Sequence, residues 1–350
     1  MQVAVINSGS STLKFKLFAM PSGRVLHEQL LEFEAGDTIE QEIERIDVDF
    51  SQVDLIGHRV VHGGEKFVQP VLIDDAVIAD IEALIPLAPL HNSANLAGIK
   101  SIQRRFAHIP QVAVFDTAFH SSLQKEAYIY ALPYALYEKE QIRRYGFHGS
   151  SHSYLLKATA KKLNKKPEKT NIITLHLGNG ASVCAIKNGK SIDTSMGFTP
   201  LEGLVMGTRC GDIDPAIIPY LEQKLGYSAK EIDRLLNRES GLRGLCGESD
   251  VRTILEAKDE KSKLAIDIMV RRIQKYIGAY MVLLEDVDAI VFSGGIGEHS
   301  AYIKERVMEN KIIGNIEAFV IATDEELEIA NEAFRIGMEF ALESDSRSIL

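Results

Sequence analysis

Tryptophan is absent from this chain of 350 residues, aromatic side chains make up only 7% of it, and cysteine occurs three times. Cys184, Cys210 and Cys246 are odd in number, far apart and without Cys-x-x-Cys spacing, which speaks against a disulfide framework or a zinc ribbon. Reduced thiols in a cytoplasmic protein are the expectation. No apolar run approaches the length of a membrane span, and Met1-Gln2-Val3-Ala4-Val5-Ile6 enters a strand-like run with no basic region and no cleavage pattern. No membrane association and no signal peptide are therefore expected. No basic block occurs either: 39 Lys and Arg stand against 49 Asp and Glu, a net charge of −10. That balance excludes a nucleic-acid stripe, and a small anionic ligand would need a locally positive pocket built from a few arginines. Hydrophobic content of 45% is ordinary, and the length suffices for two domains with separate cores.

What the chain does have is glycine-rich loops. Residues 199–215 read Thr-Pro-Leu-Glu-Gly-Leu-Val-Met-Gly-Thr-Arg-Cys-Gly-Asp-Ile-Asp-Pro, too irregular for a helix and too interrupted for a strand. Arg209 lies between Gly207 and Gly211, where its rigid five-donor fork suits phosphate or carboxylate. A structural salt bridge in a surface loop is the competing reading.

Val3 to Ile6 is apolar, a turn through Gly9, Ser10, Ser11 and Thr12 follows, and Leu13-Lys14-Phe15-Lys16-Leu17-Phe18 then alternates with period two. The same strand, glycine turn, strand pattern returns at residues 172–177, Gly178-Asn179-Gly180 and 183–186. Two copies of one unit half a chain apart point to an internal duplication. Helical periodicity at 75–84, 153–163 and 263–284 alternates with short β-rich runs at 111–115 and 289–292, which predicts an α/β fold with mostly parallel or mixed sheets. The last helix is expected to open on a capping box formed by Thr323 and Glu326, and 343–350 reads as a polar tail.

Familiar signatures fail on inspection. The P-loop spacing before Gly189-Lys190-Ser191 has Cys184 at the first glycine position, and both Gly178-Asn179-Gly180 and Gly295-Ile296-Gly297 lack the third glycine of a dinucleotide fingerprint. The pairs His58/His62 and His148/His152 lack the glutamate of a zinc-protease helix. What remains is a set of turns, at Gly9, at Gly178 to Gly180 and at Gly294 to Gly297, each able to aim backbone N–H groups at phosphate oxygens. Together they favour a nucleotide cleft between two halves over three ordinary β-turns. Asp116 follows an apolar strand, where α/β proteins place functional carboxylates, although an N-cap role competes. Arg59 ends a strand at Gly63-Gly64, and His148 is flanked by Gly146 and Gly149. Glu325 sits in a first helical turn, where dipole compensation competes with function.

These residues fall into long motifs. Residues 7–15 (Asn-Ser-Gly-Ser-Ser-Thr-Leu-Lys-Phe), 57–65 (Gly-His-Arg-Val-Val-His-Gly-Gly-Glu), 115–120, 144–152, 176–180 and 199–215 resemble acetate kinases, in order and over nearly the whole chain. The resemblance implies the acetate and sugar kinase/actin-like fold, with two RNase-H-like domains around an ATP cleft. It implies an N-terminal domain of residues 1–117 plus 327–350, with the final helix returning to it, and a nucleotide-binding and dimerisation domain of 118–326. It further implies a homodimer and reversible transfer of the γ-phosphoryl group of ATP to acetate, dependent on Mg²⁺ with Mn²⁺ as the alternative. Asn7, Arg59, Asp116, His148 and Arg209 occupy catalytic positions in that resemblance, and Asn7 and Glu325 lie near the metal. Lys14, His176, Gly178, Asn179, Gly180, Asp250, Arg252, Gly294, Gly295, Ile296 and Gly297 would bind the nucleotide. Val61, Leu90, Phe147 and Pro200 resemble the pocket for the acetate methyl. The chain departs from the pattern in being short between Phe18 and Leu55, and in carrying Thr12, Ser93, Cys210 and His299 where serine, proline, serine and asparagine are usual.

The implied chemistry suits these residues. A carboxylate, with a reference pKa near ~4, is already an anionic nucleophile at neutral pH and needs no general base. Arginines that bring two anions together then carry the catalysis. Propionate or butyrate as acceptor, and an actin- or chaperone-like ATPase with no acceptor, are the alternative readings.

Overall fold

The computed structural model describes residues 1–9, 12–34 and 37–347, with the side chains of Leu90 and 343–347 outside that description. Ser10 and Ser11 of the first glycine turn, and the end of the polar tail, therefore lie outside the described residues. The chain divides into two compact units: residues 1–121 with 149–154 and the segment from Asp324 onward, and residues 122–148 with 155–323. Residues 118–121, 149–154 and 324–326 thus group with the first unit, on the far side of the domain boundaries drawn from sequence. Local contacts account for this. The Gly149 N–H donates to the Asp116 carbonyl at 3.0 Å, and Asp324 begins the helix that packs on the first sheet.

The first sheet is built from β1 (Gln2–Ser8), β2 (Thr12–Ala19), β3 (Arg24–Glu32), β4 (Leu55–Val60), β5 (Val71–Leu72) and β6 (Gln111–Phe115), in the order β3-β2-β1-β4-β6-β5. The second holds β7 (Ile172–Leu177), β8 (Ala181–Lys187), β9 (Lys190–Thr194), β10 (Ala289–Ser293) and β11 (Ala318–Val320), in the order β9-β8-β7-β10-β11. In each, a three-strand antiparallel meander continues into two parallel strands on the other side of its first strand. Both middle hairpins even shift register once, at Leu17/Phe18 and at Ala185/Ile186. The duplication seen as two strand–glycine–strand repeats is therefore a duplication of the whole RNase-H-like strand order, and the α/β actin-like class follows from it.

Side-chain alternation puts β1 between two layers of the first unit. Ala4 and Ile6 join Leu13, Phe15, Ile56 and Ile102 on one face, while Val3 and Val5 join Leu55, Val112, Val114 and the Ile329, Ala330 and Ala333 of the final helix on the other. The helix Pro89–Arg105 supplies Ile102, and the helix Glu325–Arg347 covers the opposite face. Close approach there requires small residues: a Cβ at Gly57 would lie 3.0 Å from the Ile329 side chain, and one at Gly337 only 2.8 Å from Leu55. The final helix opens differently from the expected box. Asp324 accepts the Leu327 N–H at 3.0 Å, while Glu326 faces Asn7 instead of folding back onto the helix end. A buried polar partner outcompetes the local cap. No helix among the described residues is long and apolar enough to cross a membrane.

Candidate active site

In the first unit the C-terminal ends of neighbouring parallel strands bring charge together. Arg59 on β4 and Asp116 just past β6 form a forked ion pair, with Nε 3.0 and 3.1 Å from the two carboxylate oxygens and Nη2 2.6 Å from Oδ2. Arg59 Nη1 also donates to the Asn7 side-chain oxygen at 3.2 Å, and Asn7 Nδ2 donates to Glu326 Oε1 at 2.9 Å. Asn7, Arg59 and Asp116 are thus one connected group, with Asp116 1% exposed. Burial alone would lower the Arg59 pKa, but the carboxylates of Asp116 and Glu325 override it and hold the guanidinium charged. Burial pushes the Asp116 and Glu325 carboxyls up, against the downward pull of Arg59 on both. Lys14 stands on β2 opposite Asn7 in the strand register, exposed, and its charge favours the ionised form of Glu325. This group offers hard oxygen donors of the kind that suit Mg²⁺. Among the described residues no three His, Cys, Asp or Glu converge closely enough to encage a metal alone.

In the second unit three predicted residues meet at one turn. His148 takes the left-handed conformation, φ 58°, and its Nδ1 lies 2.9 Å from the Ser182 hydroxyl. Its ring stacks on His176 with centroids 4.3 Å apart. A Cβ built on Gly180 would sit 3.4 Å from Arg209 Nη1 and 3.5 Å from His148 Nε2, so the two side chains converge on that turn. Glycine keeps the space open. Arg209 donates to the Pro200 carbonyl at 3.0 Å and makes no ion pair among the described residues. Burial consequently lowers its pKa, with no carboxylate to offset the cost. A half-buried guanidinium with no counter-charge among the described residues has the chemistry to take up an anion.

Beside that turn opens a cavity of about 740 Å³, lined by Gly178, Asn179, Asp250, Arg252, Gly295 and Ile296 of the predicted set. The volume is within the ~300–1,000 Å³ range of small-molecule sites. Asp250 caps the helix Val251–Ala257 and pairs with Arg252, which pulls its carboxyl down to about 2. Gly294 and Gly297 are not in the lining. The segment expected to be a turn is the short helix Gly294–His299, in which Gly294 packs on the Leu177 backbone and Gly297 on Phe292. The methyl-pocket candidates divide by unit: Val61, buried, is in the first, and Phe147, buried, and Pro200 are in the second. The Leu90 side chain lies outside the described residues.

Sequence reasoning passed over several groups. Glu326 was assigned to a cap, although its adjacency to Glu325 was the available signal. Ser182 pairs directly with His176 in the β7–β8 register, so alternation along that hairpin places both on one face with His148. Ser249, His299, Ser300 and Tyr302 also line the cavity, with the apolar Val251, Leu255 and Ala301 between them.

Comparison with known proteins bears on the family and the fold. The family model described as the acetokinase family matches residues 34–347. The curated acetate kinase of Sulfurimonas denitrificans is 50% identical, over 95% of this chain and 98% of its own. The crystal structure of Porphyromonas gingivalis acetate kinase superposes with a TM-score of 0.89 at 38% identity, covering 96% of this chain and 99% of that one. That of a propionate kinase from Francisella tularensis does so equally, at 0.89 and 39%, with the same coverage. With two RNase-H-like sheets, a family match over most of its length and relatives covered almost end to end, the chain belongs to the acetokinase family.

Proposed function

We propose that this chain catalyses reversible, metal-dependent transfer of the γ-phosphoryl group of ATP to acetate, giving acetyl phosphate and ADP. One observation carries the reading: Arg209, half-buried and with no counter-charge among the described residues, converges with His148 on the Gly180 turn beside the 740 Å³ cavity. The nucleotide occupies that cavity, with its adenosine along Asp250, Arg252 and Gly295 and its phosphates toward His176 and the Gly178-Asn179-Gly180 backbone. Arg59 holds the acetate carboxylate. An acetate oxygen attacks the γ-phosphorus directly and in line, forming the new P–O bond while the bond to the β–γ bridging oxygen breaks. ADP leaves with that electron pair. Arg209 donates to the phosphoryl oxygens, and His148 donates from Nε2 while Ser182 holds Nδ1. Asn7, Asp116 and Glu325 would hold Mg²⁺, partly through water; when bound, the ion neutralises phosphate charge.

The family resemblance assigns the acetate methyl to Val61, Leu90, Phe147 and Pro200. Propionate is the second acceptor to consider, favoured by the 39% identical propionate kinase, and one methylene in an apolar pocket is worth only about 1–3 kcal/mol. We also propose a homodimer formed through the second unit, because the helix Ile217–Leu225 buries none of its residues and exposes Ile217, Ile218, Tyr220 and Leu225. The free thiols of Cys184, Cys210 and Cys246 fit a cytoplasmic setting.

The test is ADP release from Mg-ATP by purified protein with acetate, propionate, butyrate or no acid. Acid-dependent release with kcat/KM highest for acetate supports the proposal. A maximum at propionate or butyrate keeps the mechanism and changes the acceptor, while equal release without acid replaces the reading with an ATPase.

A further inference from the structure

Arg209 rides on a loop, and a cationic group that acts on a transferring phosphoryl must be held to a fraction of an ångström. The tip of that loop is stitched by backbone. Met206 N–H donates to the Arg209 carbonyl at 3.1 Å, Ser240 N–H to Thr208 at 3.0 Å, and Cys210 N–H to the Leu236 carbonyl at 3.0 Å. Its neck is closed by side chains that the reading above leaves without a role. The Gly203 N–H donates to Asp212 Oδ1 at 2.8 Å, and the Asp212 N–H donates back to the Gly203 carbonyl at 3.0 Å. Tyr276, on the helix Glu260–Leu284, donates its hydroxyl to Asp212 Oδ2 at 2.8 Å. Arg272, one turn earlier on that helix, bridges both limbs, with Nη1 to the Gly203 carbonyl at 2.9 Å and Nη2 to the Asp212 carbonyl at 3.1 Å. A second anchor holds the limb before the neck. Glu202 accepts Arg144 Nη2 at 2.7 Å and the Tyr130 hydroxyl, and Arg144 Nη1 reaches the carbonyls of Thr194, Ser195 and Met196.

We propose that Asp212, clamped by Tyr276 and Arg272, is a positioning residue that sets Arg209 for phosphoryl transfer. The neck it closes lies between Pro200, whose carbonyl holds the guanidinium, and Arg209 itself. Opening the neck therefore releases the hydrogen bond to the Pro200 carbonyl, which among the described residues is the bond to oxygen that aims the Arg209 side chain. Asp212 stays clear of the Gly180 turn and the nucleotide cavity, so its loss acts through geometry. Asparagine can keep the oxygen that takes the Gly203 N–H, but it loses the ion pair between Asp212 Oδ2 and Arg272 Nη1 at 3.3 Å.

The inference rests on the phosphoryl role assigned to Arg209, and a double-mutant cycle separates the two. Asp212→Ala should lower kcat by roughly ten- to a hundredfold, the cost of a misplaced catalytic group, with KM for acetate and ATP changed less than about threefold. Asp212→Asn, which keeps the oxygen facing Gly203 but not the ion pair with Arg272, should recover part of the rate. In an Arg209→Ala background, Asp212→Ala should add less than about twofold, because a residue acting through Arg209 has nothing left to position. Tyr276→Phe removes one hydroxyl and follows the same cycle with a smaller loss, which covers the case in which Asp212→Ala fails to fold. Independent, multiplying losses from Arg209→Ala and either clamp variant overturn the clamp and leave the Arg209 role intact. Full turnover in Arg209→Ala overturns both.

Discussion

The two units share a strand order and divide the chemistry. In the first, the ends of β1, β4 and β6 present side chains: Asn7, Arg59 and Asp116 form a closed, internally paired cluster with Glu326 attached. In the second, β7 and β10 end in glycine-rich segments, and the charge comes from loops, with Arg209 and His148 left facing an open turn. The paired arginine is held charged by its carboxylates, whereas the unpaired one pays the cost of burial with no relief. Two copies of one scaffold thus show that the fold specifies where function sits, at the C-terminal ends of the inner strands. It leaves open whether side chains or backbone do the work there.

The contrast is broken most directly at Arg209. Arg209→Ala should cut kcat by ~10³-fold, in line with arginines that stabilise transferring phosphoryl groups, while unfolding midpoints stay level or rise, because a buried charge without a partner is removed. Steady-state kinetics beside thermal melts read both at once. Arg59→Ala should behave oppositely in stability: it strands Asp116 as a buried carboxylate, and breaking such a pair costs about 3–5 kcal/mol. Urea unfolding should show that loss, and Arg59→Ala/Asp116→Asn should return part of it. Equal stability effects at the two arginines would erase the distinction between a paired and a receptive site.

A milder difference is expected in acid. Burial pushes the His58 imidazole of β4 down to about 4 from 6.5, and burial does the same to His62. The unfolded chain therefore binds more protons than the folded one between those values. The stability contributed by the neutral rings is complete above about pH 6.5 and drains away as pH falls toward about 4. His58→Gln, able to hydrogen-bond Gln111 in its place, should remove one of the two protons from that slope, as measured by urea midpoints across the window. The smallest effect belongs to the rim of the cavity. Arg252 is 87% exposed in its pair with Asp250, so Arg252→Ala should leave melting unchanged and raise KM for ATP by less than about tenfold, with kcat intact. A kcat collapse there would move the chemistry away from the Gly180 turn.

Much of this was legible in the residues. Apolar runs announce β1 and β7, period-two alternation announces β2, the glycine turns mark candidate sites of backbone–ligand contact, and Asp116 stands out by its place after an apolar strand. The long motifs then attached roles to individual residues. What escaped were partnerships: Glu326 with Asn7 across 319 positions, Ser182 with His148, and the Asp212–Tyr276 clamp. The sequence by itself determined the duplicated α/β scaffold and the inventory of charged groups, because alternation, helical period and glycine punctuation are local properties of a chain. Only the tertiary structure decided that Arg59 has a carboxylate partner while Arg209 has none among the described residues. Whether a buried charge finds a counter-ion depends on distances between segments that local rules leave free.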